Sequence, residues 1–208
     1  MKKLLSILVL LPLMFPIGRG QVQDKQTPAN LQVAYVNELK AATRYAAYAK
    51  AARKENLPLV ARLFEATSKA EAIHAANHKR VMEVTGAPVT EPVLPEFQAK
   101  STRENLLEAI RGELWEADTL YPDFLKTAID ENVSEAIVSF RYALQTEKKH
   151  AALYQQVLNA LEGNHYETIP RTWYVCPTCG NTYEDKDVAL SCEFCGTLKP
   201  RFIVFNQQ

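Results

Sequence analysis

"KENLPLVARLFEATSKAEAIH" (residues 54–74) and "DENVSEAIVSFRYALQTEKKH" (residues 130–150) are two copies of one pattern. Glu55, Asn56, Phe64, Glu71 and His74 recur 76 residues later as Glu131, Asn132, Phe140, Glu147 and His150, and Tyr45 and Tyr121 share the same offset. Matches at one fixed spacing predict a duplicated helical hairpin, hence a bundle with approximate two-fold symmetry. Each copy ends in Glu-x-x-His. Residues three apart on a helix lie on one face, so each copy aims a carboxylate and an imidazole in one direction.

The rest of the chain fits that frame. Seven glycines in 208 residues, with abundant Ala, Leu, Glu and Lys, favour helix over most of the length. Thr27-Pro28 reads as an N-cap followed by proline at the first helical position, opening a helix that runs to about Asn56. A second helix is expected from about Pro58 to Glu83, stopping near Gly86. "TGAPVTEPVLPEF" (residues 85–97) holds three prolines and reads as a long connection. Ser101 with Glu104 makes a capping box for a third helix, and Asn132 with Glu135 for a fourth that ends near Gly163. Four long helices with one long middle connection predict two hairpins joined by a crossover.

The first helix of each hairpin supplies further carboxylates: Glu38 in "VNELKAATRY", then Glu113 and Glu116 in "RGELWEADTLYPDF". In each half a Glu precedes the Glu-x-x-His glutamate by 33 or 34 residues. At 1.5 Å per residue, going up one helix and down the next returns the chain to the same height, near mid-bundle. Ala, Tyr, Phe and Leu around Glu38 and Glu113 predict burial, and buried carboxylates are costly unless a cation neutralises them. Four carboxylates and two imidazoles in a bundle core form the ligand set of di-iron and di-manganese carboxylate proteins. Oxygen-rich ligation with a nitrogen on each side suits iron or manganese better than zinc. Glu116 is a surplus candidate. Glu38 lies seven residues before Tyr45, but Glu113 lies eight before Tyr121; one extra residue in the third helix predicts a π-bulge there. His78 and His165 fall outside the repeat and read as surface or supporting residues rather than ligands.

All four cysteines stand in "CPTCGNTYEDKDVALSCEFCG" (residues 176–196). Cys176 and Cys179, then Cys192 and Cys195, form two C-x-x-C knuckles, each followed by a glycine, Gly180 or Gly196. That is a tetrathiolate metal site, and the metal would supply folding energy to a segment too small for a core of its own. Structural disulfides are the alternative for an exported chain. Spacing alone admits iron or zinc; a redox-active bundle centre would need a one-electron relay, which favours iron.

The N-terminal "MKKLLSILVLLPLMFPIGRG" (residues 1–20) has two lysines, an apolar run over Leu4–Ile17 and small residues at its end. It reads as a secretory signal peptide cleaved after Gly20, with an uncleaved anchor as the alternative. The expected location is therefore exported, in the periplasm, with no stable membrane span after cleavage. The formal net charge of zero advertises no basic surface for nucleic acid.

With these motifs in order, the chain resembles rubrerythrin over about residues 30–205. "ELKAATRY", "EAIH", "GELWEADTLYPDF", "EKKH" and the paired knuckles carry the likeness. It implies a mainly α fold: a ferritin-like four-helix bundle over residues 28–165 and a small rubredoxin-like β/knuckle domain over 166–208. It implies a di-iron centre and one mononuclear iron held by Cys176, Cys179, Cys192 and Cys195. Glu71 and Glu147 would be bridging ligands and Glu38, Glu113 and His150 terminal ones. His74 and Glu116 would be alternative ligands to one iron, exchanging with oxidation state, and so would be the catalytic pair. Tyr45 and Tyr121 would hydrogen-bond ligand carboxylates. The implied reaction is reduction of hydrogen peroxide to water, the electrons arriving through the thiolate iron from an unidentified donor. A homodimer is implied, with one subunit's rubredoxin-like domain near the other's di-iron site. An iron-oxidising ferritin-like protein and a non-enzymatic metal-binding protein with a zinc ribbon are the rival functions.

Overall fold

The computed structural model describes residues 25–206; the expected signal peptide, residues 1–20, lies outside the described residues. Helix α1 (Thr27–Lys54) and α2 (Pro58–Thr85) form the first hairpin. The second pairs α3 (Thr102–Trp115), a π-helical turn (Glu116–Leu120) and α4 (Tyr121–Asp130) with α5 (Ser134–Glu162). The backbone stays right-handed through both joints of the π turn, so α3 and α4 form one rod with one extra residue wound in. That is the bulge the spacing of Glu113 and Tyr121 predicts. Among the described residues, no helix is long and apolar enough to cross a membrane.

The repeat also explains how the hairpins close and interlock. Asn56 and Asn132 both sit at positive φ, 59° and 54°, in the turns before α2 and α5; asparagine tolerates that region better than most residues. Asn132 is therefore a turn residue and not the expected helix cap; α5 starts at Ser134 with no side-chain cap. Thr27 likewise lies inside α1 and does not cap it. The neighbouring repeated glutamates instead cap α1 and α3 from across the bundle. Glu131 accepts from the backbone N–H of Gln26 and Thr27, and Glu55 from that of Thr102. Each hairpin thus places an anion at the N-terminus of the other hairpin's first helix, where the exposed N–H groups and helix dipole favour it. The capping box of Ser101 and Glu104 is formed, and Gly86 ends α2 in the left-handed conformation. At the end of α5 the left-handed residue is Asn164, one beyond the expected Gly163.

The connection over residues 86–101 runs along α1 without regular structure, pinned by Gln32 to Thr90 in both directions and by Tyr35 to Glu91. Apolar packing fills the bundle at two levels. One contains Tyr45, Tyr48, Phe64 and Tyr154; the other contains Tyr35, Met82, Tyr121 and Phe140. Phe64 and Phe140, the repeated pair, are fully buried in one level each. Truncating either to Ala would cost about 3–5 kcal/mol.

The C-terminal part is a three-stranded antiparallel sheet, order β2-β1-β3, of β1 (Trp173–Val175), β2 (Thr182–Glu184) and β3 (Ile203–Phe205). Trp173 and Val175 are fully buried in the same cluster as Tyr45 and Phe64. The module is docked on its own chain's bundle through this apolar contact, a hydrogen bond from Arg62 to the Arg171 carbonyl, and one of 2.9 Å from Asn77 to the Thr178 carbonyl.

Candidate metal centres

Between the two apolar levels lies a layer of charge. Glu38 from α1, Glu71 and His74 from α2, Glu113 from α3, and Glu147 and His150 from α5 are all at most 1 % exposed. Their donor atoms gather into two overlapping sets, Glu38, Glu71, His74 and Glu147, and Glu71, Glu113, Glu147 and His150. Within each set the atoms lie within 4.8 Å of one another. Glu71 and Glu147 belong to both, one carboxylate from each copy of the repeat, placed to bridge two cations.

The donors face a common space. Glu38 Oε2, both oxygens of Glu71, Glu113 Oε2, Glu147 Oε1 and His74 Nδ1 are buried without a hydrogen-bond partner. His74 Nδ1 is 2.9 Å from Glu71 and 3.0 Å from Glu147, yet these approaches lack hydrogen-bond direction. Orphaned lone pairs at such density are costly alone and suited to cations. The donor set fits two metal ions with mixed carboxylate and imidazole ligation.

Electrostatics tells the same story. Burial, with Glu71 adding, pushes the Glu38 carboxyl up to about 7. Burial and then Glu71 raise Glu147 well above the carboxylate range. Burial would raise Glu71 too, but the imidazoles, His150 foremost, hold it below its ordinary value. Burial would lower both histidines, yet Glu147 beside His74 and Glu71 beside His150 raise them instead. Protons and divalent cations thus compete for the same lone pairs.

Glu116 stands apart. It is buried in the π turn, but none of its atoms joins either set. Burial, followed by repulsion from Glu38 and Glu113, raises its carboxyl well above the usual range. Of the pair expected to exchange at one metal, the structure brings His74 into the cluster and leaves Glu116 beside it.

Supporting hydrogen bonds cross between the halves. Tyr45 of α1 donates to Glu113 of the second hairpin at 2.5 Å, and Tyr121 of α4 donates to Glu38 of the first. His78 is fully buried: its Nε2 lies 3.1 Å from Tyr121 Oη and its Nδ1 2.8 Å from Ser139 Oγ. Burial, reinforced by His74, lowers His78 to about 3, so it is neutral. Since the Glu38 carboxylate accepts from Tyr121, every bond in this chain points one way, from Ser139 through His78 and Tyr121 to Glu38. His78 is thus a supporting residue, while His165 is exposed. Nothing in the sequence marks Ser139; its role needs α5 set against α2.

The four cysteines are free, with Cys176 and Cys195 sulfurs 3.4 Å apart and Cys179 and Cys192 sulfurs also 3.4 Å apart. That excludes disulfides, whose sulfurs are about 2.05 Å apart. It is close to the edge of a tetrahedron about a metal with bonds of about 2.3 Å, roughly 3.8 Å. Gly180 and Gly196 turn the knuckles at φ of 79° and 75°. Tyr183 donates to the Cys192 sulfur at 3.2 Å. Hydrogen bonding within the cluster holds the Cys192 thiol far below its ordinary value and pushes the Cys179 thiol up in return.

The two centres touch. His74 Nε2 is 3.0 Å from the carbonyl oxygen of Cys179, and His150 Nε2 is 3.0 Å from Thr182 Oγ1. Both imidazoles turn Nδ1 to the carboxylates and Nε2 to the thiolate module.

The family model described as Rubrerythrin matches residues 29–158. Rubrerythrin-2 of Clostridium acetobutylicum is 35% identical over 184 residues, covering 88% of this chain and 99% of that protein. Nigerythrin of Nitratidesulfovibrio vulgaris is 31% identical over 179 residues, 86% of each chain. Among solved structures, the fully reduced, all-ferrous state of nigerythrin superposes with a TM-score of 0.80 at 29% identity, covering 91% of both chains.

Proposed function

The chain belongs to the rubrerythrin family, and on that premise we propose that it reduces hydrogen peroxide to water, with electrons delivered through its tetrathiolate centre. It is a rubrerythrin-type iron protein, with a carboxylate and histidine di-iron site and a four-cysteine rubredoxin-like site. When bound, the two irons would supply the electron pair that splits the O–O bond. Glu71 and Glu147 would hold both ions, Glu38 and His74 one, Glu113 and His150 the other. As an anion Glu116 suits the oxidised state, and as a neutral ligand His74 suits the reduced one.

The observation that carries this reading is the contact between His74 and Cys179. It joins a thiolate knuckle to a metal-facing imidazole by one hydrogen bond. An electron carrier docked there serves a centre that must be re-reduced in each cycle; iron oxidation and storage would not need it. The proposal includes iron rather than zinc in the thiolate site, an external electron donor, a homodimer, and export to the periplasm on the strength of residues 1–20. In this structure the small domain sits against its own chain's bundle.

The test is a visible spectrum of the purified protein followed by peroxide. Ferric tetrathiolate gives a red colour that bleaches with reductant and returns when peroxide is added. A colourless module, or a reduced protein that peroxide leaves reduced, would overturn the proposal.

A further inference from the structure

We propose that Thr182 is a positioning residue of the bundle's metal site: its hydroxyl fixes the tautomer and ring orientation of His150, so the thiolate module completes the His150 half of the di-metal centre. This rests on the two-metal reading of the bundle and is independent of peroxide as the oxidant.

The hydrogen-bond directions follow from the chemistry of the partners. Thr182 is fully buried at the start of β2. Its Oγ1 lies 3.2 Å from the Gly180 carbonyl and 3.0 Å from His150 Nε2. A hydroxyl has one hydrogen, and a carbonyl can only accept. The Thr182 hydrogen therefore goes to Gly180, and its oxygen accepts from His150 Nε2–H. In the metal-binding, neutral imidazole the lone pair is then on Nδ1. That atom is 3.0 Å from Glu71, 3.1 Å from Glu147 and 3.6 Å from Glu113, in the middle of the second donor set.

His74 has the same arrangement, but its acceptor is the backbone oxygen of Cys179, which any residue at that position would offer. For His150 the acceptor is a side chain, so a point substitution can remove it. Valine keeps the shape of threonine and deletes the acceptor, leaving Nε2–H buried and unpaired. Serine keeps the acceptor and deletes a methyl group. Changes in groups that orient a metal-bound histidine typically weaken metal affinity 10- to 100-fold.

The full chain, with zinc already in the thiolate site, is titrated with Co²⁺, whose visible bands report binding to the bundle. Wild type is expected to take two equivalents. In Thr182→Val one equivalent should weaken about 10- to 100-fold while the other stays near wild type; Thr182→Ser should restore both. Wild-type binding of both equivalents by Thr182→Val would overturn the proposal. So would equal weakening in Thr182→Ser and Thr182→Val, which would make the effect one of packing. A wild-type chain that takes fewer than two equivalents would overturn the two-metal reading itself, and the proposal with it.

Discussion

Replacing Gly180 with alanine should separate the strain of a knuckle from the cost of pressing it against the bundle. Gly180 and Gly196 occupy equivalent places in the two knuckles, at φ of 79° and 75°. A Cβ at Gly196 meets nothing within 4 Å. One at Gly180 would overlap His74 Nε2, lie 2.8 Å from its Cδ2 and sit 3.1 Å from the Ala70 carbonyl oxygen. Left-handed backbone costs a non-glycine residue about 1–2 kcal/mol, and both variants bear that. Gly180→Ala adds an overpacking cost of about 1–3 kcal/mol, because His74 is 1 % exposed and flanked by ligand carboxylates. Total destabilisation is then about 2–5 kcal/mol for Gly180→Ala and about 1–2 for Gly196→Ala. At about 2–4 °C per kcal/mol, thermal unfolding of the metal-loaded protein should fall about 4–20 °C in the first and 2–8 °C in the second. Reduction of the di-iron site by the reduced thiolate centre, followed by stopped-flow absorbance, should slow only in Gly180→Ala. Equal melting shifts and equal electron-transfer rates in the two variants would refute the docking of the Gly180 knuckle on His74.

Stability of the metal-free chain should fall as pH rises. Burial raises Glu38 from 4.5 to about 7, so across that window the native state holds a proton the unfolded chain has lost. That is about 3 kcal/mol lost between pH 4.5 and 7, and the raised His74 and His150 act in the same direction above it. Thermal melts with chelator at pH 5 and pH 7.5 check this, and a higher melting temperature at pH 7.5 contradicts it; iron-loaded protein should not show the decline. Tyr121→Phe should cost more than Tyr45→Phe, by about 1–3 kcal/mol in urea titrations, because it also strands the buried His78 N–H; equal costs would refute the one-way chain from Ser139 to Glu38. Glu116→Ala should slow peroxide turnover at least tenfold while iron content stays nearly intact, since no Glu116 atom belongs to either donor set; loss of both irons on metal analysis would make Glu116 structural.

The rods, the bulge and the six side chains of the two donor sets were legible in the spacing of residues along the chain, whereas Glu116, equally a candidate there, stands outside both sets. A fixed offset broken by one residue between Glu113 and Tyr121 can be read without coordinates, because helical periodicity converts spacing into facing. The paired knuckles are legible for a similar reason: four thiols in two tight turns can close on one metal locally. The starts of α1 and α5 were misread from Thr27 and Asn132: α1 is capped by Glu131 from the opposite hairpin, which local cap signals cannot reveal, and α5 carries no side-chain cap. Tertiary structure alone decided those contacts, the choice of His74 over Glu116 in the cluster, and the burial of His78. It alone set the 179–182 segment against both histidines. These depend on which surfaces meet after the chain has turned back on itself, and contacts between residues about 30 or 105 positions apart leave no periodic trace in the sequence.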